Sequence, residues 1–323
     1  MGEAVYLDHY LGPLDPFLAA DDVTDIYINQ PGELWVERLG GAIERIAVRG
    51  LDHPVLERLS RQIAAQSAQG ISREHPLLSA SLPDGSRVQI VMPPATRGEV
   101  AIAIRKYVVS DLGIDDYADA GAFDTVRTPW DRQPVQNQLA ALRKEGDIAA
   151  LLKLAVQERC NIFISGGTST GKTTFLNALL KEVDRSERLI VIEDTPELKV
   201  PHENAVGLIA SRSALGEAVV SMEDLLNASL RMRPDRIILG ELRGPEAFTF
   251  LRAVNTGHPG SMTTIHADSP ERAIEQLVLL VLESGTHLDR ESIAHYVRSS
   301  IDVYVQLGRI GGQRVVTDIE LRQ

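Results

Sequence analysis

Residues 166–174 are Gly166, Gly167, Thr168, Ser169, Thr170, Gly171, Lys172, Thr173 and Thr174. Their spacing is G-x4-G-K-[ST], that of a phosphate-binding loop. Glycines let a backbone curl until successive N–H groups converge on phosphate oxygens. A helix starting at Lys172 adds the partial positive charge of its N-terminus. Lys172 has the reach to meet the β- and γ-phosphates, and the Thr173 hydroxyl suits Mg2+. ATP and Mg2+ are the expected ligands.

Such a loop binds nucleotide, but hydrolysis also needs a metal partner and a positioned water. Two apolar runs end in acids. Residues 237–240 lead to Glu241, and residues 189–192 lead to Glu193 and Asp194. Strand ends at the carboxyl edge of an open α/β sheet are where ligands bind. A carboxylate there could hold Mg2+ through water or accept a proton. One such acid is ordinarily a solvent-facing strand end; two beside a phosphate loop point to chemistry. His258 and His266 bracket a further short run, and a histidine near phosphate can report its presence. Arg87 and Arg105 lie far upstream. Phosphoryl transfer commonly uses a guanidinium from a neighbouring segment or subunit.

The elements around these residues set their placement. Residues 24–29 and 33–38 alternate like strands around a Gln30-Pro-Gly turn. Residues 79–82 and 88–92 flank Pro83-Asp-Gly, a hairpin signal. Val100, Ile102 and Ile104 alternate again, and Leu56, Leu59 and Ile63 repeat at helical spacing. Residues 1–106 thus read as an α+β domain. Residues 107–146 carry Asp115, Asp116, Asp119, Asp124, Gly113, Gly121, Pro129 and Pro134, the composition of a linker with short helical pieces. From 147 to 323, short apolar strands at 161–165, 189–192 and 236–239 alternate with helical segments at 172–182, 224–232, 245–255 and 270–283. That alternation predicts an α/β domain with a mainly parallel sheet, closed by a hairpin at 303–321.

Composition narrows the class. The chain has 323 residues, enough for about two domains. Lys and Arg number 33 against 45 Asp and Glu, a net charge of −12 that disfavours specific duplex nucleic-acid binding. Aromatics are 5%, too few for a base-stacking platform. The single cysteine, Cys160, excludes an internal disulfide or multi-cysteine zinc site and reads as a buried, inert thiol. No apolar run approaches the ~18–20 residues of a bilayer span. The acidic start, without a basic region or an acylation pattern, carries no signal peptide, so a cytoplasmic protein is expected.

Taken in order, several segments resemble the traffic, or secretion, ATPases, in the branch serving type IV secretion and conjugal DNA transfer. They are Leu82-Pro-Asp-Gly-Ser-Arg87, residues 102–106, the phosphate loop, Ile192-Glu-Asp-Thr-Pro-Glu-Leu198, Ser229-Leu-Arg-Met-Arg-Pro-Asp-Arg236, Gly240-Glu-Leu-Arg243 and residues 255–266. Ser169-Thr170 stands where that family more often has Gly-Ser, leaving the glycines and lysine intact. The resemblance implies a RecA-like P-loop C-terminal domain and a smaller N-terminal domain. It also implies a homo-hexameric ring with ATP held between the two domains of a subunit. Glu193-Asp194 would be the acidic box, with Asp194 at the metal. Glu241 would end the Walker B strand and organise Mg2+ and water, Glu193 acting as base or its helper, with these two roles interchangeable. His266 would belong to the histidine box. Arg87 and Arg105 would approach the phosphates from the N-terminal domain. The implied partners are inner-membrane secretion-channel and coupling proteins, with peripheral membrane association.

Type II secretion and pilus-assembly ATPases usually carry a four-cysteine zinc insertion, which one cysteine excludes. Pilus-retraction and tight-adherence motors lack it and are the nearest alternative. A nucleic-acid motor and a non-hydrolysing scaffold are the other classes; charge argues against the first and the acidic and histidine segments against the second. Residues 6–17 are partly amphipathic, suited to docking on their own domain or, less well without basic residues, to a membrane.

Overall fold

The computed structural model describes residues 2–107, 113–124, 133–211 and 216–322. Pro129, expected in the linker, lies outside them. Two sheets organise the chain. The first has six antiparallel strands: β1 (Val23–Ile28), β2 (Glu33–Arg38), β3 (Ile43–Ala47), β4 (Leu77–Ser81), β5 (Arg87–Val91) and β6 (Ala101–Arg105), in the order β3-β2-β1-β6-β5-β4. The second has seven: β7 (Ile162–Gly166), β8 (Leu189–Glu193), β9 (Ala205–Ile209), β10 (Arg236–Leu239), β11 (Met262–Ile265), β12 (Val303–Ile310) and β13 (Gln313–Leu321). Their order is β13-β12-β7-β11-β10-β8-β9, parallel throughout except for the terminal hairpin.

The apolar strands of the second sheet are covered on both faces, which explains why they lack alternation. Ile162, Ile164, Val191 and Ile238 face one core, while Phe163, Ile190, Ile192, Ile237 and Leu239 face the other. In the first sheet alternation separates two different environments. Ile26, Ile28, Ile102 and Ile104 pack against the helix His53–Gln66 and an N-terminal helix, Gly2–Leu11. Leu7, Leu11 and Leu14 are buried there, so the amphipathic start docks on its own domain. The opposite residues, Tyr27, Val91, Ala101 and Ala103, share a core with Val206, Leu208 and Leu225 of the second domain. Small side chains on that face let the two domains approach closely.

Polar contacts reinforce the joint. Arg188 is fully buried and its guanidinium lies 4.1 Å from the centre of the Tyr27 ring. It donates to Met232 O at 3.0 Å and to Asn29 Oδ1 at 2.9 Å. Burial lowers its pKa to about 10. Arg45 pairs with Glu203 at 3.1 Å, Arg233 with Glu37 at 2.5 Å, and Arg73 with Glu217.

Part of the expected linker is structured. Residues 133–145 form a helix, Gln133–Glu145, whose Leu139 is 2% exposed in the core beneath the second sheet. Pro134 reads as a loop residue, but it occupies the first turn, where no helical hydrogen bond is lost. Replacing Leu139 with Ala should cost about 2–4 kcal/mol of stability in urea unfolding. An unchanged midpoint would mean that this helix does not belong to the folded domain.

Candidate nucleotide site

Four adjacent parallel strands deliver the site. β7 runs into the loop, β11 into His266, β10 into Gly240 and Glu241, and β8 ends at Glu193. Because these strands are parallel neighbours, all four termini reach the same carboxyl edge.

The loop is curled tightly. Ser169 and Gly171 have φ of 62° and 93°, and Thr170 Oγ1 donates to Gly167 O at 2.9 Å. Gly171 caps the helix Lys172–Leu179 without a side chain, so the first N–H groups of that helix face the loop. Lys172 is 8% exposed and donates through Nζ to Gly166 O at 3.0 Å and Gly167 O at 3.3 Å. Burial lowers its pKa; Glu241 opposes that shift and Arg243 adds to it.

His266 sits between this ammonium and the acids. Nδ1 is 3.3 Å from Lys172 Nζ, and Nε2 is 3.0 Å from Glu241 Oε1. Arg243 bridges the two acidic segments, reaching Glu241 Oε2 at 2.7 Å and Asp194 Oδ2 at 2.8 Å. Arg243 was not among the residues expected to act. Its sequence signals are a position two residues after a strand-end glutamate and the end of the Gly240-Glu-Leu-Arg243 segment. Glu193 lies deeper, 3% exposed, with Oε1 accepting from the N–H groups of Glu197 and Leu198, both at 2.9 Å.

Thus Lys172, His266, Glu241 and Asp194 come together, with Thr173 next to Lys172 in the first turn of the helix. Arg87 and Arg105 do not join them. They line a 680 Å3 cavity with Arg231, Arg233 and Ser79, between the domains. Arg233 precedes β10, so this cavity opens at the amino edge, opposite the loop. His258 also stays away, its Nδ1 3.0 Å from Pro234 O.

A curled phosphate loop at the carboxyl edge of a β7-centred parallel sheet, with an acidic and a histidine strand end beside it, defines a RecA-like P-loop domain joined to a smaller α+β domain. The comparisons agree. Residues 9–317 match the family model described as Type II/IV secretion system protein, and the chain belongs to that family. It is 39% identical to the Type IV secretion system protein VirB11 of Bartonella henselae, covering 96% of this chain and 91% of that protein. It is 38% identical to the Type IV secretion system protein PtlH of Bordetella pertussis, covering 98% and 95%. The crystal structure of the VirB11 ATPase from the Brucella suis type IV secretion system, in complex with sulphate, superposes with a TM-score of 0.93 at 38% identity, covering 99% of this chain and 95% of that one.

Two outcomes follow from the geometry. A Cβ at position 166 would lie 2.5 Å from Thr170 Oγ1 and 2.9 Å from Leu307 O. Gly166→Ala should therefore open the loop and weaken ATP binding at least ~10-fold by calorimetry; unaltered affinity would show that the cradle does not set it. Burial depresses the pKa of His258 and His202 below 6.5. Their contribution to stability is then full above pH 6.5 and lost as pH falls through the lower folded values. Stability should drop as pH falls below 6.5, less steeply in a His258→Gln variant; equal slopes would remove His258 as a cause.

Proposed function

We propose that this protein is a Mg2+-dependent ATPase that powers substrate export or pilus assembly by a type IV secretion system, working as a homo-hexamer. The observation that carries the reading is Lys172, buried on a curled phosphate loop and placed beside the His266–Glu241–Arg243–Asp194 chain. The VirB11 relatives and the named Brucella ATPase support the same reading.

The residues fit a triphosphate with its metal. The loop amides and the Lys172–Leu179 helix start hold phosphate oxygens, and Lys172 exchanges the carbonyls of Gly166 and Gly167 for the β- and γ-phosphates. Thr173, Glu241 and Asp194 supply the hydroxyl and carboxylates that would hold Mg2+. When bound, that ion screens phosphate charge and favours attack by water. Glu241 positions the water and Glu193 takes its proton. His266, touching both Lys172 and Glu241, senses whether the phosphate is in place.

Arg87 and Arg105 sit across the sheet from their own loop. They act on a neighbouring copy, whose loop meets that arginine-lined face, and a ring repeats the contact. Inner-membrane channel and coupling proteins receive the motion, with the protein peripheral to the membrane. Among the described residues no helix is long and apolar enough to cross a membrane.

Phosphate release tests the site. Lys172→Ala and Glu241→Gln should each lower turnover at least ~100-fold while the fold is retained. Wild-type rates in either purified variant would remove it from the reaction.

A further inference from the structure

The amino-terminal domain also reaches the carboxyl edge of the second sheet, through a segment outside its own strands. Residues 95–97 run antiparallel beside β9. Ile209 N–H donates to Ala95 O, and Arg97 N–H donates to Gly207 O, each at 2.9 Å. A piece of one domain therefore extends the sheet of the other. Arg97 then sends its side chain across the surface of Gly207. A Cβ at 207 would collide with Arg97 Cδ, and its next neighbours, at 2.8 and 2.9 Å, are also Arg97 atoms. The crossing requires the missing side chain.

The guanidinium ends at the acidic segment. Nη1 donates to Leu198 O at 2.7 Å, and Nη2 forms an ion pair with Oε2 of Glu193. The other oxygen of that carboxylate already accepts two backbone N–H groups. Glu193 is 3% exposed, so bulk solvent does little to balance its charge. Arg97 supplies the countercharge, and it does so from the other domain.

We propose that Arg97 is a positioning residue for hydrolysis: it holds the Glu193 carboxylate in working orientation and ties that orientation to the seating of the amino-terminal domain. This rests on the reading of Glu193 as proton acceptor. A planar guanidinium anchored by a hydrogen bond to the Leu198 carbonyl places its charge at the carboxylate in one position, which a lysine ammonium on a flexible stem does less well.

The test is steady-state phosphate release by the full-length protein at saturating ATP, normalised to folded fraction, with ATP binding measured by calorimetry. Arg97→Ala should lower kcat at least ~10-fold and leave KM for ATP within about twofold. Arg97→Lys should recover part of the loss. Gly207→Ala keeps the guanidinium but blocks its path, and should reproduce the fall in kcat. Arg73→Ala breaks the Arg73–Glu217 pair between the same domains and should keep the wild-type rate. Wild-type kcat in both Arg97→Ala and Gly207→Ala, or a loss confined to KM, overturns the proposal. Glu193→Gln separates the two failures. If it is inactive while Arg97→Ala is fully active, only the Arg97 proposal falls; if it turns over normally, the assignment of Glu193 falls and takes Arg97 with it.

Discussion

A lysine ammonium enclosed at the carboxyl edge of a parallel sheet is the constraint on which the rest depends. Lys172 has little water around it, and burial works against its charge. Two loop carbonyls and the nearby Glu241 carboxylate compensate. That compensation needs β7, β11 and β10 side by side, because each contributes one of the groups involved. Strand order is thus fixed by more than apolar packing. The sheet must bring a cation, an imidazole and a carboxylate to one end in sequence, and the helices that cover both faces make its largely apolar central strands stable.

The second constraint is the joint between domains. Ala101 and Ala103 provide a shallow face, and the fully buried Arg188 fills the contact by lying over Tyr27 while its donors find Asn29 and Met232. Removing one partner from such a buried set leaves a charge without compensation. The domains of one chain are therefore joined along a surface that is apolar at its centre and paired at its margins. Arg87 and Arg105 fall on the side of this joint away from their own loop, which is why the proposed reaction draws them from a neighbouring copy.

Much of this was legible in the sequence, for identifiable reasons. β7, β8 and β10 are short apolar runs ending in a glycine loop or an acid, so their chemistry could be placed at strand ends. The hairpin around Pro83-Asp-Gly and the one closing at residues 311–312 are marked by turn residues. β3 and β9 gave weak signals: β3 is largely exposed, and β9 is Ala205-Val-Gly-Leu-Ile, where a glycine interrupts the pattern. Short helical pieces were expected in residues 107–146, but the length and packing of the helix Gln133–Glu145 were hidden because its polar surface leaves only Leu139 fully buried and its proline sits where helices tolerate one. Strand order cannot be read from local pattern, so the separation of Arg87 and Arg105 from Lys172 was not visible. Arg97 looked like an ordinary surface arginine, since nothing local marks a guanidinium whose partner is the distant Glu193, and the segment ending at Arg243 did not reveal the bridge from Arg243 to Asp194.

In the proposed assembly, the contrast between these arginines carries the coupling. Arg97 faces inward and touches the acidic segment of its own chain. Arg87 and Arg105 face outward, toward a neighbour. One amino-terminal domain would then contact two reaction centres at once. Any ligand that prefers one seating of that domain must change its interaction with both centres, and the change is reciprocal in binding free energy. Phosphate gained at one loop draws on the outward arginines, while the inward one registers the shift at Glu193. A ring of such units needs no separate relay between neighbouring sites, because the same small domain already bears on each.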